Sequence, residues 1–260
     1  MDMNFFAKMV FRLVAPHMFG KMLVQCEKSA AYGRYCEMVY GKNLCQFNML
    51  DYEQLRKMLD LAEMDQHSQV LDLGCAVGNI SEYISDQTKA AVTGIDFAGV
   101  AVKRAVSRTI NNKKLTFKKM NMNQLKFEQE SFTHIISIDT LYFVENLENT
   151  VAKMKNLLKP GGRMAIFYGA PGKYDSKPLP EETPLGKALS ASSLKFSTVD
   201  FTEAEIKIWE KSLTALEQLK EDFEQEKNHR IYSGRLREST NLLEHHKQYP
   251  GYRYLYMVSK

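Results

Sequence analysis

Val70-Leu71-Asp72-Leu73-Gly74-Cys75-Ala76-Val77-Gly78 joins a run of branched apolar residues to a turn of small ones, and a helix-like stretch follows from residue 79. A strand, a tight turn and a helix in that order open an α/β sheet, whose ligands sit at the carboxyl ends of the strands. Small residues there let the backbone pass close to a bound molecule. About one strand and helix later comes Thr93-Gly94-Ile95-Asp96-Phe97. A carboxylate at that strand end is suited to accept both hydroxyl hydrogens of a ribose. Asp96 also has a plain structural use, capping the helix that begins near Ala98, and the two roles can coexist.

Outward from this centre, strand-like and helix-like runs alternate between residues 69 and 169. Strands are predicted at 69–73, 91–95, 115–118, 134–138 and 163–168, with helices at 79–86, 98–109 and 147–158 between them. Lys159-Pro160-Gly161-Gly162 stops the last helix and turns into a strand. Alternation of this kind predicts a parallel sheet with helices on both faces.

On the amino-terminal side, Phe5, Phe6, Met9, Val10, Leu13 and Val14 recur at helical spacing and predict a short amphipathic helix ended by Pro16. It carries Lys8 and Arg12 and is too short for a membrane span. A second helix is expected at 52–62. On the other side, Pro171, Pro178, Pro180 and Pro184 mark a loop or lid. One long helix is then expected from residue 202 to 228. Thr202 and Glu205 would form its capping box, and Ile206, Trp209, Leu213, Leu216 and Phe223 its apolar stripe. Tyr249-Pro250-Gly251 turns into a closing strand, 252–258. The domain division read from this is a helical cap or lid at 1–62 and a core at 63–260, with 170–250 supplying a substrate-side loop and helix.

The turn reads G-x-A-x-G followed by Asn79, not the G-x-G-x-x-G of a dinucleotide site, which disfavours a nicotinamide or flavin. It resembles motif I of the class I S-adenosylmethionine-dependent methyltransferases. The likeness covers roughly residues 66–169: TGIDFAGVAVKRA is similar to that family's acidic-loop segment, and the stretch from Leu115 to Phe167 follows its third to fifth strands. The resemblance implies a Rossmann-like, seven-stranded, mostly parallel sheet with helices on both faces, an N-terminal helical cap and a helical insertion near the C-terminus.

By position, the resemblance implies that Gly74, Cys75, Ala76 and Gly78 line the methionyl part of S-adenosylmethionine. Asp96 would hold the ribose, Phe97 pack on the adenine, and Asn121 and Met122 lie at the adenine edge. Ser137, Ile138 and Asp139 would present carbonyls or a side chain toward the amino group and the sulfonium. Ala76 stands where the family usually has a second glycine, and Asn121 where aspartate is common. The implied product is S-adenosylhomocysteine.

The acceptor is narrowed by what is missing. The turn after the fourth strand reads Ile138-Asp139-Thr140-Leu141-Tyr142, without the N/D-P-P-Y grip on a flipped base. The net charge of +4 over 260 residues demands no nucleic acid. A small-molecule acceptor is therefore expected, with Tyr142 and Phe143 as walls and Tyr32, Tyr35, Tyr40 and Phe47 as lid or core. His134 reads as structural, and His17, His245 and His246 as surface groups near the mouth. Two other readings stay open: methylation of RNA or protein, docked on the charged helix from 202 to 228, and a non-catalytic S-adenosylmethionine-binding protein. Cys26, Cys36, Cys45 and Cys75 have neither zinc-ligand nor disulfide-framework spacing, so no metal is expected and a reducing, cytoplasmic setting is. A homodimer is left open.

Overall fold

The computed structural model describes residues 5–170, 176–249 and 251–260, with side chains from residue 16 onward except Ala170. Helices α1 (Phe5–Lys28), α2 (Ala30–Tyr40) and α3 (Tyr52–Ala62) precede β1 (Gln69–Leu73). Then follow α4 (Asn79–Thr88), β2 (Ala91–Asp96), α5 (Gly99–Arg108), β3 (Leu115–Lys119), β4 (Phe132–Ile138), α6 (Leu147–Leu157) and β5 (Leu158–Ala170). The chain continues through α7 (Pro184–Ala191), β6 (Lys195–Asp200), α8 (Thr202–Gln218), α9 (Lys220–Gln225), α10 (His229–Gln248) and β7 (Tyr252–Ser259).

The seven strands form one sheet in the order β3-β2-β1-β4-β5-β7-β6. β1 to β5 run parallel, and β7 lies antiparallel between β5 and β6. The order reverses at β1, so the crevice for a ligand opens where β1 meets β2 and β4. Val70, Leu71 and Leu73 have no solvent exposure, as expected of a strand covered on both faces. One face packs on α6 and α7 through Met154, Leu157 and Leu189, the other on α3 and α4 through Leu55, Met58 and Ile84. The Lys159 to Gly162 turn lies inside β5 as a register shift against β4, with Gly161 at φ +73°.

Three expectations are corrected. The first helix does not stop at Pro16 but runs to Lys28. Its second half packs on α5 so closely that a Cβ on Gly20 would meet that of Val100 at 3.1 Å, and this tertiary packing outweighs the proline penalty. The apolar face read at Phe5 to Val14 lies outside the described side chains.

The expected helix 202–228 is broken into α8 and α9, with α10 following after Asn228. At the second break Glu226 accepts from Ser29 Oγ (2.5 Å) and Ala31 N–H (2.7 Å), so the interruption caps α2. Thr202 and Glu205 form no capping box. Thr202 Oγ donates to Asp200 (2.6 Å) and Glu205 turns inward.

The third correction is that the loop region holds α7 and β6. β6 reads Lys-Phe-Ser-Thr-Val-Asp, the half-exposed pattern of an edge strand, which carries little apolar signal. Among the described residues, no helix is long and apolar enough to cross a membrane.

Candidate functional site

The turn after β1 is folded against the end of β2. Gly74 and Cys75 N–H both donate to Ile95 O, at 2.8 and 3.0 Å, and Ala76 N–H donates to Asp96 Oδ2 at 3.0 Å. The other carboxylate oxygen accepts from Ala98 N–H at 2.7 Å, the capping role expected of it. Gly74 sits at φ +86°, and a Cβ there would overlap Thr140 at 2.3 Å, so only glycine fits. Ala76 also adopts the left-handed region, at φ +49°. Asp96 is 5% exposed; burial raises its carboxyl above the usual range, and the Ala98 and Ala76 amides pull it back. Each oxygen has one backbone donor and keeps lone-pair capacity for another.

Beneath the turn, Asp72 accepts from Ser81 Oγ at 2.5 Å. Burial pushes its carboxyl up to about 6, with Asp96 adding to the rise and Ser81 opposing it. Cys75 packs with Val102, Ala105 and Phe117 as core. Gly78 starts α4 at φ +83°, where Phe117 leaves no room for a side chain.

Around this centre the remaining candidates divide. Phe97 is 37% exposed and stacks on Phe19 of α1 at 6.3 Å. Met120 N–H donates to Asp96 O, which holds the end of β3 beside β2 and sets Asn121 next to the acid. Asn121 Oδ1 folds back onto Asn123 N–H (2.9 Å), and the Met122 side chain is in the core, so this edge offers mainly backbone. Thr140 Oγ1 donates to Leu73 O (2.8 Å) and so accepts from Ser137 Oγ (2.8 Å). Ile138 is buried in the sheet core. Asp139, at φ +55°, spends its carboxylate inside the protein: Oδ1 accepts from Arg253 Nη1 (2.5 Å) and Tyr142 OH (3.1 Å), and Oδ2 from Met49 N–H (3.0 Å). Oδ2, with one donor, keeps lone-pair capacity for another.

That Asp139–Arg253 pair has no motif in the sequence. Arg253 is the second residue of β7, is 1% exposed and also donates to Gln54 Oε1 of α3 (3.1 Å). Glu205 is buried nearby; burial pushes its carboxyl up to about 7, against the pull of Arg253. The only local clue was Arg253 among the apolar and aromatic residues of a strand. Tyr142 accepts from Gly169 N–H (2.9 Å), so its ring is fixed between the ends of β4 and β5, while Phe143 is 71% exposed.

Tyr32 and Tyr35 are fully buried and stacked at 5.4 Å; their hydroxyls reach Gln46 O (2.6 Å) and Ser212 Oγ (2.7 Å). They build the interior of the cap and are not on its surface. His134 is structural, bonded to Ala62 O (3.0 Å) and Thr133 Oγ1 (2.9 Å). His17 is exposed and His245 packs on Tyr249. A groove of about 320 Å³, lined by His67, Thr133 and Lys159 among others, lies at the other end of the strands.

Residues 71–166 match the family described as Methyltransferase domain. Phosphoethanolamine N-methyltransferase of Plasmodium falciparum is 30% identical over 132 residues, which is 50% of this chain and 49% of that protein. Sterol 24-C-methyltransferase of Debaryomyces hansenii is 29% identical over 119 residues, 44% of this chain and 32% of that protein. The chain thus spans about half or less of the length of these curated relatives. Among solved structures, phosphoethanolamine N-methyltransferase 2 of Haemonchus contortus, in complex with phosphomonomethylethanolamine and S-adenosylhomocysteine, is similar with a TM-score of 0.73 at 17% identity. That match covers 88% of this chain and 57% of the other, and it establishes the fold.

Proposed function

We propose, for a chain that carries a methyltransferase domain at residues 71–166, that it binds S-adenosylmethionine at the turn after β1 and transfers the methyl group to a small-molecule acceptor. One observation carries the reading: the turn and the Asp96 carboxylate converge, joined by the Ala76 N–H bond of 3.0 Å. The residues fit a nucleoside. Asp96 is oriented by two amides and keeps free lone pairs, and Gly74 and Gly78 keep side chains off the turn.

When bound, the group supplies an electrophilic methyl on a sulfonium, so the protein's task is alignment and exclusion of water. Asp96 accepts the ribose hydroxyls. Phe97 offers its half-exposed ring to the adenine, and the backbone of Asn121 and Met122 its edge. The main chain of Gly74, Cys75, Ala76 and Gly78, with the carbonyls of Ser137, Ile138 and Asp139, lines the methionyl side. Tyr142 and Phe143 stand at the ends of β4 and β5 as walls for the acceptor, and the Asp139 and Gly169 bonds hold the Tyr142 hydroxyl in place. Relatives named for phosphoethanolamine and for sterols support a small acceptor. The four cysteines are free and buried, which supports a reducing, cytoplasmic setting.

Titration calorimetry tests the first half, with saturable binding of S-adenosylmethionine and S-adenosylhomocysteine expected. Release of S-adenosylhomocysteine in the presence of phosphoethanolamine or a sterol tests the second. Absence of binding heat together with absence of thermal protection by either ligand would overturn the reading.

A further inference from the structure

We propose that Arg235 of α10 is an anion anchor, holding a carboxylate or phosphate group of a ligand bound under the helical cap. The proposal rests on the nucleoside reading of the turn for its location, and on Arg235 itself for its chemistry.

Arg235 is 1% exposed. Nη1 donates to Glu238 Oε2 at 2.8 Å, and the guanidinium carbon lies 3.8 Å from the centre of the Phe47 ring. Nε and Nη2 have no acceptor among the described residues. These two nitrogens are the adjacent donors of the side-on fork, the arrangement that pairs with two oxygens of a carboxylate or phosphate. Stacking on an aromatic face offsets part of the cost of burying the charge but gives the fork nothing to bond. Donors buried without acceptors are expensive, and an apolar side chain would fill this shell at lower cost.

Among the described residues, no anion meets the fork. Tyr32, Tyr35 and Tyr40 are fully buried around it, and burial raises all three hydroxyls, so they stay neutral. Tyr32 already bonds Gln46 and Tyr35 bonds Ser212. Glu238 meets only Nη1.

The position suits a ligand of the turn. Ala76 and Val77 belong to the same apolar cluster as Tyr32, Tyr35 and Phe47. Phe47 meets Phe19 edge-on at 5.6 Å, and Phe19 stacks on Phe97 beside Asp96. Two residues beyond Phe47, Met49 N–H holds Asp139 at the end of β4. One anionic group reaching this layer would be the carboxylate of the methionyl part; the other would be an acid on the acceptor.

The test compares the wild type with R235Q, R235K and E238Q. S-adenosylhomocysteine and 5′-methylthioadenosine, which lacks the amino-acid part, are titrated by calorimetry, and thermal unfolding is followed with inorganic phosphate and with phosphoethanolamine. If the anchored group is the methionyl carboxylate, R235Q binds S-adenosylhomocysteine about tenfold or more weakly, with 5′-methylthioadenosine unchanged. If it belongs to the acceptor, S-adenosylhomocysteine binding holds and stabilisation by phosphate or phosphoethanolamine disappears. Either result supports the anchor, and E238Q should retain both responses.

R235Q matching the wild type in all four titrations overturns the proposal. A wild type that fails to bind S-adenosylhomocysteine refutes the nucleoside reading instead, and the phosphate comparison still decides for or against Arg235. Should R235Q not fold, R235K decides in the same way, because it keeps the charge and loses the fork.

Discussion

The nucleoside end and the acceptor end of this cleft hold their charges by different means. Asp96 is gripped by main-chain amides, one 20 residues away and one two residues on. Asp139 depends on the side chain of Arg253, 114 residues away, and on Met49, 90 residues away. Main-chain donors persist whatever side chain is present, so the first arrangement survives as a short motif. The second exists only when the fold brings its members together, and removing either charged side chain leaves the other without its ion-pair partner. Arg235 carries the same logic further, since part of its complement lies outside the described protein.

The sharpest way to break this comparison is to remove one member of the distant pair. Asp139→Leu leaves Arg253 buried with Gln54 as its one remaining hydrogen-bonding side chain among the described residues, and should cost about 3–5 kcal/mol in urea denaturation. Arg253→Met should cost less, because Asp139 retains the donors of Met49 and Tyr142. The double variant Asp139→Leu with Arg253→Met should recover most of the first loss. A single-variant cost below about 1 kcal/mol would mean the pair behaves as a surface one and the contrast is false.

Each end also holds one carboxyl that burial raises, Asp72 to about 6 and Glu205 to about 7. Their folded-state pKa values lie above the unfolded ones, so the folded protein binds more protons in that window. Their contribution to stability is therefore present at low pH and is lost as pH rises through about 6 and about 7 respectively. At neutral pH, Asp72→Asn and Glu205→Gln should each gain stability, up to about 3 kcal/mol at 1.36 kcal/mol per pKa unit. Difference curves of unfolding free energy from pH 4 to 8 check this, with the Asp72 curve turning first. A gain that is flat across the range would show that neither carboxyl titrates there.

The same contrast explains what could be read from the sequence. The strands from β1 to β5, the turn at Gly74 to Gly78 and the acid at 96 were legible because apolar period, small residues and one carboxylate lie close together along the chain. β6 was not, because an edge strand with alternate exposure offers no apolar run. The break after α9 was hidden since the apolar stripe continues to Phe223, while Glu226 is recruited by Ser29 and Ala31, remote in sequence. Asp139 was legible by position but not in its bonding, which needed Arg253. Arg235 carries no signal in the sequence, because nothing near it along the chain marks the guanidinium as buried.

For the nucleoside end, Asp96→Ala should weaken S-adenosylhomocysteine binding by about tenfold or more, roughly 1.4 kcal/mol, while the fold survives. Calorimetry measures the first, and circular dichroism with thermal unfolding the second. Survival is expected because the Ala76 and Ala98 amides sit beside the ligand cleft, where water can replace the carboxylate oxygens. Unchanged affinity would remove Asp96 from the site and leave it as a cap for α5.

The smallest effect concerns Ala76, whose φ of +49° is the left-handed region that a side chain resists. Left-handed backbone costs a non-glycine residue roughly 1–2 kcal/mol, whereas glycine lowers stability by roughly 0.5–1 kcal/mol through the unfolded chain. The difference favours Ala76→Gly by less than about 1 kcal/mol, to be read as a small rise in thermal midpoint. Because the Ala76 N–H and not its methyl group holds Asp96, binding of S-adenosylhomocysteine should stay within about twofold of the wild type. A clear loss of stability would mean that the methyl group's packing against the cap cluster outweighs the strain, and that side chains as well as main chain hold the nucleoside end together.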